Sequence, residues 1–153
     1  MKTNCLYDLW LQNATEDQDI VKELNKINNN KSEIEDRFYK DIEFGTGGLR
    51  GVIGAGTNRI NIYTVRKVSQ GLSNYLLGEY KEPSIVIAYD SRIKSDLFAK
   101  NAASVFAANN IKVYIFKTLM PTPTLSFAVR ELKCSAGVVI TASHNPSKYN
   151  GYK

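Results

Sequence analysis

This chain is poor in the residues that build metal centres and covalent cross-links. Its 153 residues include one histidine and two cysteines. A single imidazole, His144, excludes a multi-histidine metal site. Cys5 and Cys134 are far apart and form no C-x-x-C pair. That argues against a disulfide scaffold or a cysteine-rich zinc module and predicts a reducing compartment, hence a cytoplasmic protein. No apolar run approaches the roughly 18 residues of a membrane span. Met1 to Leu11 is too polar for a secretory signal. The phosphate-binding pattern G-x-x-x-x-G-K-[ST] does not occur. No acidic excess exists either: 20 Lys and Arg face 15 Asp and Glu, a formal charge of +5. Such a surface favours anions, but the basic residues form no arm or stripe, so no nucleic-acid partner is expected.

The chain is otherwise ordinary for a globular domain, with 43% hydrophobic and 23% charged residues. The first forty residues read as helical and polar. Thr15 is placed to cap a helix whose apolar face is Ile20, Val21, Leu24 and Ile27. Asn28 to Asn30 interrupt it, and Ser32 to Phe38 offers a second short helix with Ile34 and Phe38 inward. Six of the ten glycines then fall between Gly45 and Gly56. Thr64 is read as opening a helix with Val65, Val68, Leu72, Tyr75 and Leu76 on one face, ending near Gly78.

From Pro83 onward, strand and helix alternate. Ile85–Tyr89, Lys112–Phe116 and Ala136–Thr141 are short apolar runs of the kind found in buried parallel strands. Between them, Ser95 is expected to cap a helix with Phe98, Ala102, Val105 and Phe106. Thr122 and Pro123 start another, with Leu125, Val129 and Leu132. The pattern predicts an α/β fold: a three-layer domain with a mostly parallel mixed sheet, preceded by a helical N-terminal extension. The division expected is 1–40 for the extension and 41–153 for the domain.

In such sheets, ligands bind beyond the carboxyl ends of the strands. Three loops leave those ends: Asp90-Ser91-Arg92, Met120-Pro121-Thr122-Pro123, and Ala142-Ser143-His144-Asn145-Pro146. The last, continued to Lys153, is the densest in reactive groups, although Ser, Asn and Pro are also ordinary turn residues. Ser143 and His144 are sequence neighbours. In an extended segment their side chains point apart, which argues against a serine–histidine proton relay. Two sets of residues suit phosphate. Arg50 sits among glycines, where a guanidinium and backbone N–H groups can meet an anion. Ser143, at a strand end, has a hydroxyl that can carry a phosphoryl group. A phosphoserine there would offer oxygens to a divalent cation.

Phe44-Gly45-Thr46-Gly47-Gly48-Leu49-Arg50-Gly51, with Thr141-Ala142-Ser143-His144-Asn145-Pro146 and Asn150-Gly151-Tyr152-Lys153, resembles the N-terminal part of the α-D-phosphohexomutases, the phosphoglucomutase and phosphomannomutase enzymes. The stretch from Gly54 to Val65 and the helical extension look most like the phosphoglucomutase-2 and phosphopentomutase branch. The resemblance implies that Ser143 is the phosphoryl carrier, turned over through a hexose 1,6-bisphosphate that is both intermediate and activator. It implies that Arg50 lies beside the serine, that Lys153 does acid–base work, and that His144 and Asn145 lie near metal and substrate. Thr46 and Gly47 join Arg50, Asn145 and Arg92 as expected contacts of substrate or its phosphate. Loop bracing is the alternative for His144, and a salt bridge shaping the cleft is the alternative for Arg92. Magnesium is implied, held from this chain only through the phosphate of Ser143.

Family members have four domains, and their D-G-D-x-D-R magnesium loop is absent from these residues. The expectation is therefore a first domain that needs domains II–IV of the same polypeptide and is inactive alone. The reading from another class is a non-catalytic phosphosugar- or anion-binding module in which Ser143 is only a turn residue.

Overall fold

A computed structural model describes residues 2–153. The elements run α1 (Lys2–Asn13), α2 (Gln18–Ile27), α3 (Lys31–Phe38), β1 (Phe44–Gly45), β2 (Gly48–Val52), α4 (Ile62–Glu79), β3 (Ser84–Tyr89), α5 (Ser95–Ala108), β4 (Lys112–Ile115), α6 (Thr122–Glu131), β5 (Ala136–Ile140) and β6 (Tyr149–Tyr152). One six-stranded sheet has the order β1-β2-β6-β5-β3-β4. The three strands visible as apolar runs form its parallel half: β3 pairs with β5 and with β4. The other half is antiparallel, β1 with β2, β2 with β6, and β6 with β5. Three antiparallel pairings thus stand beside two parallel ones. The antiparallel strands were not legible because they are short and rich in Gly, Asn, Arg and Tyr. Their conformation is fixed by partners far along the chain.

The helices cover both faces, giving three layers. On one face Ile85, Ile87, Val138 and Ile140 of the sheet meet Val65 and Leu76 of α4 and Phe98, Ala102 and Phe106 of α5. Phe98 and Phe106 are fully buried, and each contributes roughly 1.5–3 kcal/mol of hydrophobic stabilisation. On the opposite face Val86, Ala88 and Val139 pack against Leu125 and Ala128 of α6. This inside–outside alternation along β3 and β5 is the period of two of a strand buried on both sides.

The extension has its own core. Tyr7, Ala14, Ile20, Leu24, Ile27, Ile34 and Phe38 pack together, and Ala55 from the segment after β2 joins them. Several helix starts differ from expectation. Asp17, not Thr15, caps α2, its carboxylate accepting from Asp19 N–H. Val21 is only partly buried. Asn61 caps α4, three residues before Thr64. Thr64 returns a side-chain bond to the Asn61 N–H, completing a capping box. The buried Asn61 also donates to the carbonyls of Gly54 and Gly56. Lys94, in the left-handed region at φ 62°, precedes α5, and Ser95 is its first residue. Asp17 and Asn61 each cap a helix while bonding a second segment, Lys94 and the Gly54–Gly56 turn respectively, whereas Lys94 makes no side-chain cap bond.

Candidate functional site

Strand β5 ends at Ile140, and the chain turns sharply through Thr141, Ala142 and Ser143. The Ser143 N–H donates to Thr141 Oγ1 (3.0 Å), and Asn145 N–H donates to Ala142 O (3.1 Å). Ser143 itself is left-handed, at φ 58°. A non-glycine residue in that region is uncommon and costs roughly 1–2 kcal/mol. The turn leaves Ser143 and His144 exposed at the sheet's end. It also changes their mutual geometry. Ser143 Oγ lies 3.4 Å from His144 Nδ1. The expectation that the neighbours point apart assumed an extended backbone, which this turn is not.

After the loop the chain returns as β6. The Thr141 N–H donates to Gly151 O, and Val139 and Lys153 exchange both main-chain bonds. The last residue of β6 pairs with Leu49, so Arg50 and Gly151 are directly opposite. Arg50 thus reaches the serine loop: Arg50 Nη1 donates to Asn145 Oδ1 at 3.1 Å. Its Nε is buried and, among the described residues, has no hydrogen-bond partner. A buried donor left unmatched is rare in a folded chain. Thr46 and Gly47 are the exposed two-residue turn between β1 and β2. Glu43, Gly45, Gly47, Gly48 and Arg50 line an open depression of about 360 Å³ there. A Cβ on Gly47 would stand 2.8 Å from Arg50 Nη2, so the glycine makes room for the guanidinium.

Lys153 adjoins this arginine. Burial, together with the positive charge of Arg50, pulls the Lys153 amine below the usual lysine range.

The second wall is the loop after β3. Asp90, Ser91, Arg92, Ile93, Ser143 and Ser147 line an open hollow of about 440 Å³. Arg92 was expected either to touch substrate or to shape the cleft. Its Nη2 donates to the carbonyls of Ser143 and Asn145 (both 2.7 Å), and its Nη1 to those of Pro146 (3.1 Å) and Tyr149 (3.0 Å). Asp90 Oδ2 stands 3.4 Å from Arg92 Nε. Asn150 and Ser95, noted in the sequence for other reasons, and Lys94, which was not, complete the wall. Buried Asn150 donates to Ile93 O and Ser95 Oγ and accepts from Gly151 N–H. Ser95 Oγ in turn donates to Asp90 Oδ1 (2.7 Å). Lys94 holds Asp17 and Asp19 of the extension. Burial opposes its charge, but these two carboxylates outweigh that and hold its ammonium above the usual range. Asp90-Ser91-Arg92 and Asn150 gave a sequence signal near this network, Ser95 was read only as a helix cap, and Lys94 gave none.

The fold therefore brings Arg50, Asn145, Arg92, Ser143, His144 and Lys153 to one end of the sheet, with Thr46 and Gly47 at its margin. Residues 41–153 match the model of a protein family described as phosphoglucomutase/phosphomannomutase, alpha/beta/alpha domain I. The chain belongs to this family. The phosphoglucomutase of Staphylococcus aureus (strain USA300) is 44% identical over 148 residues, 95% of this chain and 26% of the relative. That of Staphylococcus epidermidis is 44% identical over 137 residues, 90% and 25% respectively. Among solved structures, a Thermus thermophilus protein described as a phosphomannomutase superposes with a TM-score of 0.69 at 38% identity. The match covers 74% of this chain and 25% of that one. A phosphoglucomutase/phosphomannomutase family protein from Burkholderia thailandensis superposes with a TM-score of 0.57 at 25% identity, covering 69% and 24%. The chain spans about a quarter of the length of each of these relatives.

The family implies a metal cofactor. Among the described residues, no three His, Cys, Asp or Glu side chains cluster as ligands would. A divalent magnesium ion takes about six oxygens in near-octahedral geometry. The described side chains offer no such set of oxygens, so this chain's own donors do not fit a resident cation. Among the described residues, no helix is long and apolar enough to cross a membrane.

Proposed function

We propose that residues 41–153 are the phosphoryl-carrier domain of a mutase that moves a phosphoryl group between the 1- and 6-positions of a hexose phosphate. What supports the reading above all is an exposed serine hydroxyl on a loop that the Arg50 guanidinium reaches through Asn145, at 3.1 Å. Family membership and the 44% identity to two phosphoglucomutases point the same way.

In this reading Ser143 rests as a phosphoserine. An incoming hexose phosphate presents a free hydroxyl to the phosphorus. The bond from phosphorus to Ser143 Oγ breaks as the bond to the sugar oxygen forms. The sugar hydroxyl loses its proton, and the Lys153 amine, next to Arg50 and held below the usual lysine range, is proposed to take it. Ser143 Oγ leaves with negative charge, and His144, 3.4 Å away, is placed to give it a proton. The product is a hexose 1,6-bisphosphate. When the bisphosphate presents its other end, the reverse step returns that phosphoryl group to Ser143, and no phosphate is lost. Arg50 lies beside the transferred group, where its fixed charge stabilises phosphoryl oxygens. Asn145 holds that guanidinium in place.

Residues 1–40 form an accessory helical extension. The sugar-selecting contacts, the magnesium cage and the bisphosphate's second phosphate site are proposed to come from further domains of the same cytoplasmic polypeptide. The 153 residues alone are accordingly proposed to turn over no sugar phosphate, since phosphoryl transfer depends on positioning and charge neutralisation from several sides.

The test is peptide mass spectrometry on the protein purified from its own cells, with Ser143→Ala as the comparison. One phosphoryl group on the Ser143 peptide and loss of mutase turnover in Ser143→Ala are expected. Stability should change by no more than about 0.5 kcal/mol, because the hydroxyl is exposed. An unphosphorylated Ser143 with full turnover in the alanine variant refutes the carrier role and favours a plain anion-binding module.

A further inference from the structure

Four carbonyls of the serine loop converge on one cation. Those of Ser143, Asn145 and Pro146 lie within four residues, and that of Tyr149 follows where β6 begins. Carbonyl dipoles that point at a common centre repel each other unless a positive charge sits there. We propose that Arg92 is the positioning residue of Ser143: its guanidinium gathers these four oxygens and so imposes the left-handed turn that presents the hydroxyl. The proposal rests on the reading of Ser143 as phosphoryl carrier and adds the device that aims it.

Donor arithmetic carries the argument. An arginine side chain has five N–H groups in a fixed planar fork. Four point from Nη1 and Nη2, and four carbonyls receive them at 2.7–3.1 Å. The fifth, on Nε, faces the Asp90 carboxylate. No donor remains for a substrate phosphate. Arg92 therefore differs from Arg50, whose Nε is unmatched. The fork is itself immobilised. Asp90 Oδ1 accepts from the Arg92 main-chain N–H (2.9 Å) and from Ser95 Oγ, and the Asp90 N–H donates to Ile140 O at the end of β5. Asn150 fastens Ile93 and Ser95 to β6. Arg92 is thus anchored to the two strands between which the serine loop is strung. The left-handed conformation of Ser143 is unfavourable for an isolated serine, and it persists where surrounding contacts over-determine it. A lysine could not substitute. Its ammonium is a point charge with three donors and cannot span four oxygens.

Nuclear magnetic resonance on the isotope-labelled 153-residue chain tests this. In the wild type, the Nη protons of Arg92 should give separate, slowly exchanging resonances, unlike those of a solvated arginine. Ser143 should show the three-bond coupling and carbon shifts of a left-handed residue. In Arg92→Lys, the Ser143 signature should revert toward extended values. The amides of Ser143, Asn145 and Tyr149 should exchange at least about tenfold faster, while those of Ile87 and Val138 in the core strands stay within about twofold. If Arg92→Lys keeps the Ser143 signature and the loop protection, a point charge suffices and the fork is not the positioning element. If the variant loses core protection as well, the wild-type spectrum decides: averaged, fast-exchanging Arg92 Nη protons overturn the proposal, and four separate protected ones uphold it. None of these readings needs phosphate on Ser143, so they stand or fall apart from the carrier reading.

Discussion

Gly151 lies in β6 between β2 and β5, where the sheet is at its tightest. A Cβ built there stands 2.5 Å from Thr141 O, 2.8 Å from Leu49 O and 3.2 Å from Arg50 Cγ. Two of the three obstacles are main-chain oxygens held in strand pairing, so no side chain can swing aside. Gly151→Ala must push β6 outward by the best part of an ångström. That stretches the Thr141–Gly151 bond (3.0 Å) and the Val139–Lys153 pair (3.0 and 3.1 Å). Overpacking costs about 1–3 kcal/mol, and weakened hydrogen bonds add to it. With the obstacles being backbone, about 3 kcal/mol is expected, near the top of the overpacking range. For a domain of this size that lowers Tm by roughly 6–12 °C. Gly78 in α4 gives the opposite sign. Nothing lies within 4 Å of its would-be Cβ, and replacing an exposed helical glycine by alanine should stabilise by about 0.5–1 kcal/mol. Urea and thermal unfolding followed by circular dichroism would measure both. A Gly151→Ala chain within about 0.5 kcal/mol of wild type, or a Gly78→Ala chain that loses more stability than Gly151→Ala, would refute the steric reasoning.

Burial pushes the Tyr152 phenol up to about 12, against a partial opposing effect of its hydrogen bond with Ser69. The unfolded phenol ionises near pH 10, so this contribution is complete below pH 10 and is lost as pH rises toward 12. It amounts to roughly 2–3 kcal/mol, and Tyr152→Phe should flatten that part of the pH–stability curve in alkaline urea titrations. Asn61→Ala removes the α4 cap and leaves the Gly54 and Gly56 carbonyls without their donor. A loss of about 2–4 kcal/mol is expected in denaturant unfolding. Asp17 both caps α2 and pairs with Lys94. Asp17→Asn keeps the cap and should lose under about 1 kcal/mol, whereas Asp17→Ala should lose about 1–2 kcal/mol. Equal losses in the two variants would show that the cap contributes nothing.

The parallel half of the sheet was legible because Ile85–Tyr89 and Ala136–Ile140 are apolar on both faces, a pattern that burial alone imposes. The antiparallel half was not. Gly48-Leu49-Arg50-Gly51-Val52 alternates half-buried and buried positions, and Asn150, Gly151 and Tyr152 are all buried, only in the company of each other. The serine loop was legible by its residue types, and Arg50 by its glycines. The proximity of His144 to Ser143 Oγ was not, because it depends on one backbone angle. Nor was the division between the two arginines. Arg50 and Arg92 are chemically identical in the sequence, and only the positions of carbonyl oxygens tell the one with an unmatched donor from the one fully engaged.

The family match begins at residue 41, but the cooperative folding unit does not. The Ala55 N–H donates to Glu23 of α2, and Ala55 O accepts from Arg37 of α3. The Asn58 N–H donates to Arg37 O, and Thr57 Oγ1 to Lys40 O. A truncation starting at Asp41 would strip these partners in one cut. It would also unroof Ala55 and Tyr63 and release Lys94 at the head of α5. Such a trimmed protein should expose the segment from Gly54 to Asn61 to proteases. A chimaera that grafts residues 41–153 onto another member of the family should carry the first forty along. The edge of the matched domain and the edge of the packed unit are different boundaries in this chain.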